Sequence, residues 1–119
     1  MGTGKTEIWK LKIGESQIKV IINQEALKKH ISIRHPDAVL YWETLKENFA
    51  SPDAIYKSGN DFICVMRLKN REYKFLRWII KKRSKHLFKK EFYLATFFPT
   101  DIPYKGNLIW RAEDWIEKK

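Results

Sequence analysis

Hydrophobic and polar positions alternate at two periods along this chain, and each change of period marks a new element. From Glu7 to Ile13, Trp9, Leu11 and Ile13 fall on one side of an extended chain, with Ile8, Lys10 and Lys12 on the other. That is the pattern of a half-buried strand. Gly14-Glu15-Ser16 supplies a turn, and Gln17 to Ile22 returns as a second strand, so this segment predicts a β-hairpin. Asn23 is placed to cap a helix over residues 24–33, where Leu27 and Ile31 stand four apart on one face. A second helix is predicted from Pro36 to Phe49, with Ala38, Trp42, Leu45 and Phe49 forming its apolar stripe. Ala50-Ser51-Pro52-Asp53 stops it, because the residue before a proline resists the helical conformation and Pro-Asp favours a turn.

The period then shortens again. Ala54 to Lys57 reads as a short strand, Ser58-Gly59-Asn60-Asp61 as a turn and Phe62 to Leu68 as a strong strand. Lys69-Asn70-Arg71-Glu72 turns the chain into a strand from Tyr73 to Ile80, and Phe92 to Phe98 forms another. These three long strands are expected to pair as antiparallel neighbours. The fold class expected is therefore α+β: an N-terminal β-hairpin and two helices packed on an antiparallel sheet. It is read as a single domain over 1–119, with 1–5 as a flexible lead-in. Pro99 to Asn107 reads as a loop, followed by Leu108-Ile109-Trp110 and an acidic tail helix over 112–119. Gly2-Thr3-Gly4-Lys5-Thr6 imitates the end of a phosphate-binding loop, but that motif needs a preceding strand and a following helix. Here a strand follows.

At 119 residues the chain is long enough for a core without disulfide or metal staples, and 44% hydrophobic content is too apolar for disorder. No apolar run approaches the ~20 residues of a membrane-spanning helix, and the polar N-terminus lacks the apolar stretch of a signal peptide. The single Cys64 excludes an intrachain disulfide and fits a reducing, cytoplasmic setting. Neither CxxC nor HxxxH occurs, so zinc is not expected, nor is any other cofactor. Charge changes the picture most. Lys and Arg number 24 against 14 Asp and Glu, a net +10, which favours a polyanionic partner, most often nucleic acid. An acidic protein or an anionic membrane surface would also satisfy it. The densest charge lies between the last two long strands, in Lys81, Lys82, Arg83, Lys85, Lys89 and Lys90, with His86 among them. It reads either as a solvated hairpin loop or as an electrostatic clamp on a nucleic-acid backbone.

Candidate chemistry concentrates in residues 27–37. His30 and Arg34 stand four apart on the first predicted helix, so their side chains project as neighbours. An imidazole that titrates near neutral pH beside a permanent cation suits work on a phosphate. His35 precedes Pro36 and is expected to cap the next helix. Tyr93, Thr96 and Thr100 carry hydroxyls on or just beyond the last long strand. In a regular strand Tyr93 and Thr96 face opposite sides, so they reach one site only if a bulge intervenes.

Taken in order, His-x-x-x-Arg-His-Pro, Tyr-Trp-x-x-Leu, Ser-Pro-Asp-x-Ile and Ala-Thr-Phe-Phe-Pro-Thr resemble the phage-type branch of the barnase/EndoU/colicin/RelE-like nucleases. The resemblance runs through residues 23–100. It implies a small fold with helices first and an antiparallel sheet after, and metal-independent, toxin-like cleavage of transfer or messenger RNA. The family's functional positions correspond to His30, Arg34, Thr96 and Thr100, while the lysine-rich stretch lies outside the shared pattern. The implied reaction uses the adjacent 2′-hydroxyl as nucleophile and leaves a cyclic phosphate. It needs a base, an acid and cations around the transition state. His30 could supply one proton transfer, and His35, His86 and Tyr93 are open candidates for the other. Arg34, with Lys81, Lys82 or Arg83, could hold the phosphate. Possible partners beyond RNA are an antitoxin or a phage polypeptide. The competing reading is a non-catalytic basic RNA- or protein-binding module in which Tyr73, Phe75 and Trp78 stack on bases.

Overall fold

The computed structural model of the chain describes residues 6–69, 72–86 and 89–115, with backbone pairing alone for 84–86, 89 and 90. It is a mixed α+β structure built on one seven-stranded sheet. The strands are β1 (Thr6–Ile13), β2 (Ser16–Asn23), β3 (Ala54–Ser58), β4 (Asp61–Arg67), β5 (Phe75–His86), β6 (Lys89–Thr100) and β7 (Asn107–Arg111). Their order across the sheet is β1-β2-β6-β5-β4-β3-β7. Every pairing is antiparallel except β2 with β6, which is parallel.

Local chemistry explains most boundaries. β1 and β2 close around Gly14, whose φ of 63° places it where a side chain would be strained. Asn23 ends β2 and caps the helix α1 (Gln24–Arg34), its side-chain oxygen accepting from the Ala26 amide at 3.1 Å. The expected second helix is two pieces. Pro36–Tyr41 winds as a tighter 3₁₀ segment, and α2 (Trp42–Asn48) follows as regular α-helix. Tyr73 helps to hold the tight segment, since its hydroxyl donates to Asp37 at 2.8 Å and this bond raises the phenol pKa.

The sheet is covered on both faces. Leu27 and Ile31 of α1, with Ala38, Tyr41, Leu45 and Phe49, pack on Leu76, Trp78, Ile80, Leu94 and Phe97 to make the main core. Buried Cys64 belongs to it, and its thiol pKa is pushed up by desolvation. On the opposite face Ala54, Tyr56, Ile63 and Val65 form a smaller cluster closed by Trp115.

Asp53, in the Ser-Pro-Asp junction, ties three strands together. Its carboxylate accepts from the Arg67 amide at 2.7 Å and from the Arg67 guanidinium at 3.2 and 3.3 Å. Its backbone N–H donates to Val65, and its carbonyl accepts from Ala112. Arg67 also reaches Asp114 at 3.0 Å; its bonds to Asp53 and then to Asp114 raise the arginine pKa, and the bond to Arg67 lowers that of Asp114.

Two expectations are corrected, and a segment without an assignment finds its place. The lysine-rich stretch is not a loop: β5 runs on to His86 and β6 begins at Lys89, so most of it lies on paired strand ends. Leu108, Ile109 and Trp110 lie on an edge strand, β7, which pairs with β3. The tail does not begin as a helix, because 112–115 form a turn with the Trp115 amide donating to Ala112. Burial of the Trp115 ring against Phe75 draws the chain back onto the sheet. The rest of that expected helix, 116–119, lies outside the described residues, as does the lead-in over 1–5.

Trp78 is fully buried and stacked on Phe49 at 6.0 Å between ring centroids, so it is no base-stacking platform. Trp78→Ala is expected to cost about 3–5 kcal/mol in urea unfolding, whereas Leu40→Ala, at a site 82% exposed, is expected to stay within about 0.5 kcal/mol.

Candidate active-site groove at the edge of the sheet

The groove forms where β2 leaves β6. Their parallel ladder comprises Val20 with Phe92 and Ile21 with Tyr93, after which Asn23 turns the chain into α1. A helix thus follows a strand as the neighbour of β6, and a concavity of about 790 Å³ opens between them. His30 of α1 lines it from the helix side. From the sheet side come Lys81 and Arg83 of β5 and Glu91, Tyr93 and Thr96 of β6.

Tyr93 and Thr96 share this face because β6 bulges. Thr96 pairs with Ile79 and Leu94 with Ile80, so Ala95 is an extra residue without a counterpart on β5. The insertion resets the alternation of β6. Tyr93 opposite Lys81 and Thr96 opposite Ile79 then point the same way, while Leu94 and Phe97 both enter the core. The condition set by the sequence pattern is met.

The electrostatics of the groove are mixed. Arg83 bonds Glu91 through Nε at 3.3 Å and lies over the Tyr93 ring at 5.0 Å. Glu91 is the better shielded partner, with 19% of its side chain exposed against 59% for Arg83. A carboxylate therefore sits among the cations of the groove. The Thr96 hydroxyl oxygen is buried with no hydrogen-bond partner among the described residues. It is a buried polar atom whose hydrogen-bonding capacity is unmet, on a side chain that lines the groove.

The remaining predicted residues lie elsewhere. Arg34 is exposed at the last position of α1 and does not line the groove. His35 caps both α1 and the 3₁₀ segment, its amide donating to Ile31 at 2.7 Å, and its ring stacks on Phe98 at 4.7 Å. Thr100 uses its hydroxyl oxygen to accept from the Ile102 amide at 3.1 Å, closing a turn. Lys82 faces the opposite side of β5, with its ammonium 5.7 Å from the Phe92 ring. The side chains of Lys85, His86, Lys89 and Lys90 lie outside the described residues.

Two residues were missed by sequence reasoning. Glu91 was hidden by the basic run beside it, although a lone acid next to Lys89-Lys90 is the kind of signal that could have been read. Arg77 gave no signal. It is half-buried on the groove side of β5, with Phe98 at 5.5 Å and Tyr104 at 5.2 Å from its guanidinium. One terminal nitrogen donates to the Ile102 carbonyl at 2.6 Å, and Nε is buried without a partner. Desolvation lowers its pKa. Among the described residues no carboxylate pairs with it.

Among the described residues no three His, Cys, Asp or Glu side chains gather as a metal-ligand set, and no helix is long and apolar enough to cross a membrane. Compared with known protein families, curated proteins and solved structures, the chain matches none of them.

His35 generates a pH prediction. Burial against Phe98, with the nearby charges of His30 and Arg34, lowers its pKa below the ordinary histidine value. The unfolded chain therefore binds a proton at higher pH than the folded protein does. The contribution of neutral His35 to stability is complete above about pH 6.5 and is lost as pH falls through the lowered folded value. Thermal unfolding measured from pH 7.5 down to pH 5 is expected to show a falling Tm whose slope is smaller in His35→Asn.

Proposed function

We propose that this protein is a metal-independent endoribonuclease of toxin-like character, built on a barnase/RelE-like variant of the α+β fold. The observation that carries the reading is the groove itself. One histidine, one shielded carboxylate, a phenol, an orphan hydroxyl and two cations converge on a single concavity at the sheet edge. Support for the fold reading comes from the order of elements, helices before the long antiparallel strands, and from the short motifs in residues 23–100.

In this reading RNA enters with a phosphate against Lys81 and Arg83. One proton-transfer group takes the proton of the 2′-hydroxyl, whose oxygen attacks the adjacent phosphorus. The P–O bond to the 5′-oxygen breaks, and a second group protonates that oxygen as it leaves. The products are a 2′,3′-cyclic phosphate and a 5′-hydroxyl end. His30 fills one role, because it is the histidine that lines the groove and an imidazole can both accept and donate a proton. Glu91 joins Tyr93 as a candidate for the other, ahead of His35, whose ring is committed to Phe98. In this reading Thr96 turns its hydroxyl into the groove to donate to a phosphate oxygen, and the two cations offset charge that develops in the transition state. Arg34, at the exposed end of α1, would meet flanking phosphates.

Cleavage of a mixed RNA pool in excess EDTA, beside a matched DNA control, tests the proposal. The wild type is expected to cut RNA alone and leave cyclic-phosphate ends. His30→Ala is expected to slow cleavage roughly 10²- to 10⁴-fold with little loss of RNA affinity, and Thr96→Val roughly 10²-fold. Comparison of Glu91→Gln with Tyr93→Phe assigns the second proton transfer to whichever abolishes one limb of the pH–rate profile. Binding of RNA without cleavage, indifferent to His30→Ala, would overturn the catalytic reading in favour of a binding module.

A further inference from the structure

Strand register carries the groove beyond its own lining. Ile8 pairs with Ile21, Ile21 with Tyr93 and Tyr93 with Lys81, so their side chains form one row on one face of β1, β2, β6 and β5. Ile21, Tyr93 and Lys81 line the groove, and Ile8, 61% exposed, continues its floor to the edge of the sheet. The neighbouring row holds charge. Lys10 pairs with Lys19 and Glu91 with Arg83, and Lys19 precedes Val20 as Glu91 precedes the Phe92 with which Val20 pairs. Lys10, Lys19, Glu91 and Arg83 thus cross the same four strands, a rank roughly 14 Å wide.

The Lys10–Lys19 pair carries a cost. The Lys12 amide donates to the Ala50 carbonyl at 3.1 Å, so it points away from β2. Lys12 and Gln17 are therefore a non-hydrogen-bonded pair, and so, two residues on, are Lys10 and Lys19. The Cα atoms of such pairs stand about 4.5 Å apart, the closer antiparallel spacing, and like charges directly opposite destabilise a sheet. Both lysines are exposed. Among the described residues the ion pairs join Arg67 to Asp53 and Asp114 and Arg83 to Glu91, so no carboxylate partner offsets either lysine. A lysine on the edge strand β1 guards against pairing with another edge, but β2 lies inside the sheet, where Lys19 has no such duty. An anion held between the two ammonium groups removes the cost. In the other direction from the groove, along β5, the next cation is Arg77, half-buried beside Phe98 and Tyr104 and bonded to the Ile102 carbonyl. The exposed cations that lead out of the groove are those of the hairpin.

We propose that the open face of the β1–β2 hairpin is the outer half of an RNA-binding surface, where Lys10 and Lys19 hold backbone phosphates of the strand whose reacting phosphate lies at Lys81 and Arg83. The contact is to phosphate and reads no sequence. A second copy of the chain is disfavoured there, because it would set this basic face against its own like charge. The choice of RNA over another polyanion rests on the ribonuclease reading and on the continuity of these rows with the groove.

The test is equilibrium binding of the full chain to a ten-nucleotide 2′-O-methyl RNA, which the 2′-hydroxyl reaction cannot cut, across a salt series. The double variant Lys10→Gln with Lys19→Gln is expected to weaken binding roughly 25-fold at about 0.1 M salt. It is also expected to lower the slope of log Kd against log salt by about 1.4, the counterion release of two phosphate contacts on a single strand. Lys69→Gln with Lys74→Gln makes the same change of charge at exposed positions toward the far end of β5, and is expected to shift affinity less than about twofold. Thermal unfolding is expected to find the hairpin variant no less stable than the wild type, because a like-charge contact is relieved. Equal losses from the two double variants, or no loss from the hairpin variant, overturn the surface. So does tighter binding of polyglutamate, or of phosphatidylserine vesicles, through the same two lysines, which gives the face to an acidic protein or a membrane. Cleavage of natural RNA is read separately. Lysine-sensitive binding without cleavage keeps the surface and removes the catalytic reading, whereas normal cleavage with insensitive binding removes the surface alone.

Discussion

The pairing of β5 with β6 is the constraint on which the rest of the molecule depends. These two strands stand at the centre of the sheet, and their register decides which side chains enter the core and which meet solvent. Side chains alternate with a period of two, so a single extra residue exchanges the faces of everything beyond it. Ala95 is that residue. With it, Leu94 and Phe97 are both buried although three positions apart, and Tyr93 and Thr96 share the opposite face. An unbulged β6 would bury one member of each pair and expose the other. Core packing and groove chemistry therefore come from one backbone irregularity.

Closure of the two faces by different parts of the chain follows from the same sheet. The helical segment before β3 covers one side, and the loop after β6 with Trp115 covers part of the other. Asp53 and Arg67 bring β3 and β4 together with the turn after β7, so the late chain is anchored to the early sheet. Asp53 sits in one of the short motifs that suggested a nuclease resemblance, yet its contacts join strands. A motif residue with a structural duty is weak evidence of chemistry.

Charge on this protein is arranged as well as abundant. Lys81 and Arg83 face the groove while Lys82, between them, faces away, as strand alternation requires. Arg77 continues the groove-side row, shielded by two aromatic rings. The groove-side cations of β5 are thus Arg77, Lys81 and Arg83, with Ile79 between the first two.

The alternating and helical periods by themselves determined the hairpin, the Asn23 cap, α1, the apolar stripe of the second helical segment and the three long antiparallel strands, because these rest on interactions within a few residues. His30, Tyr93, Thr96, Lys81 and Arg83 were also legible as groups of the right type, and the need for a bulge could be stated from parity alone. Only the tertiary structure decided that the bulge exists, since it is set by how Leu94 and Phe97 pack together on residues far along the chain. It alone decided that β2 joins β6 in parallel and that α1 then lies beside that strand, which is what opens the groove. The shielded Glu91, the half-buried Arg77 between Phe98 and Tyr104, the strand that replaced the expected basic loop and the capture of Trp115 in place of a tail helix belong to the same class. Each depends on contacts between segments distant in sequence, and no local period records them.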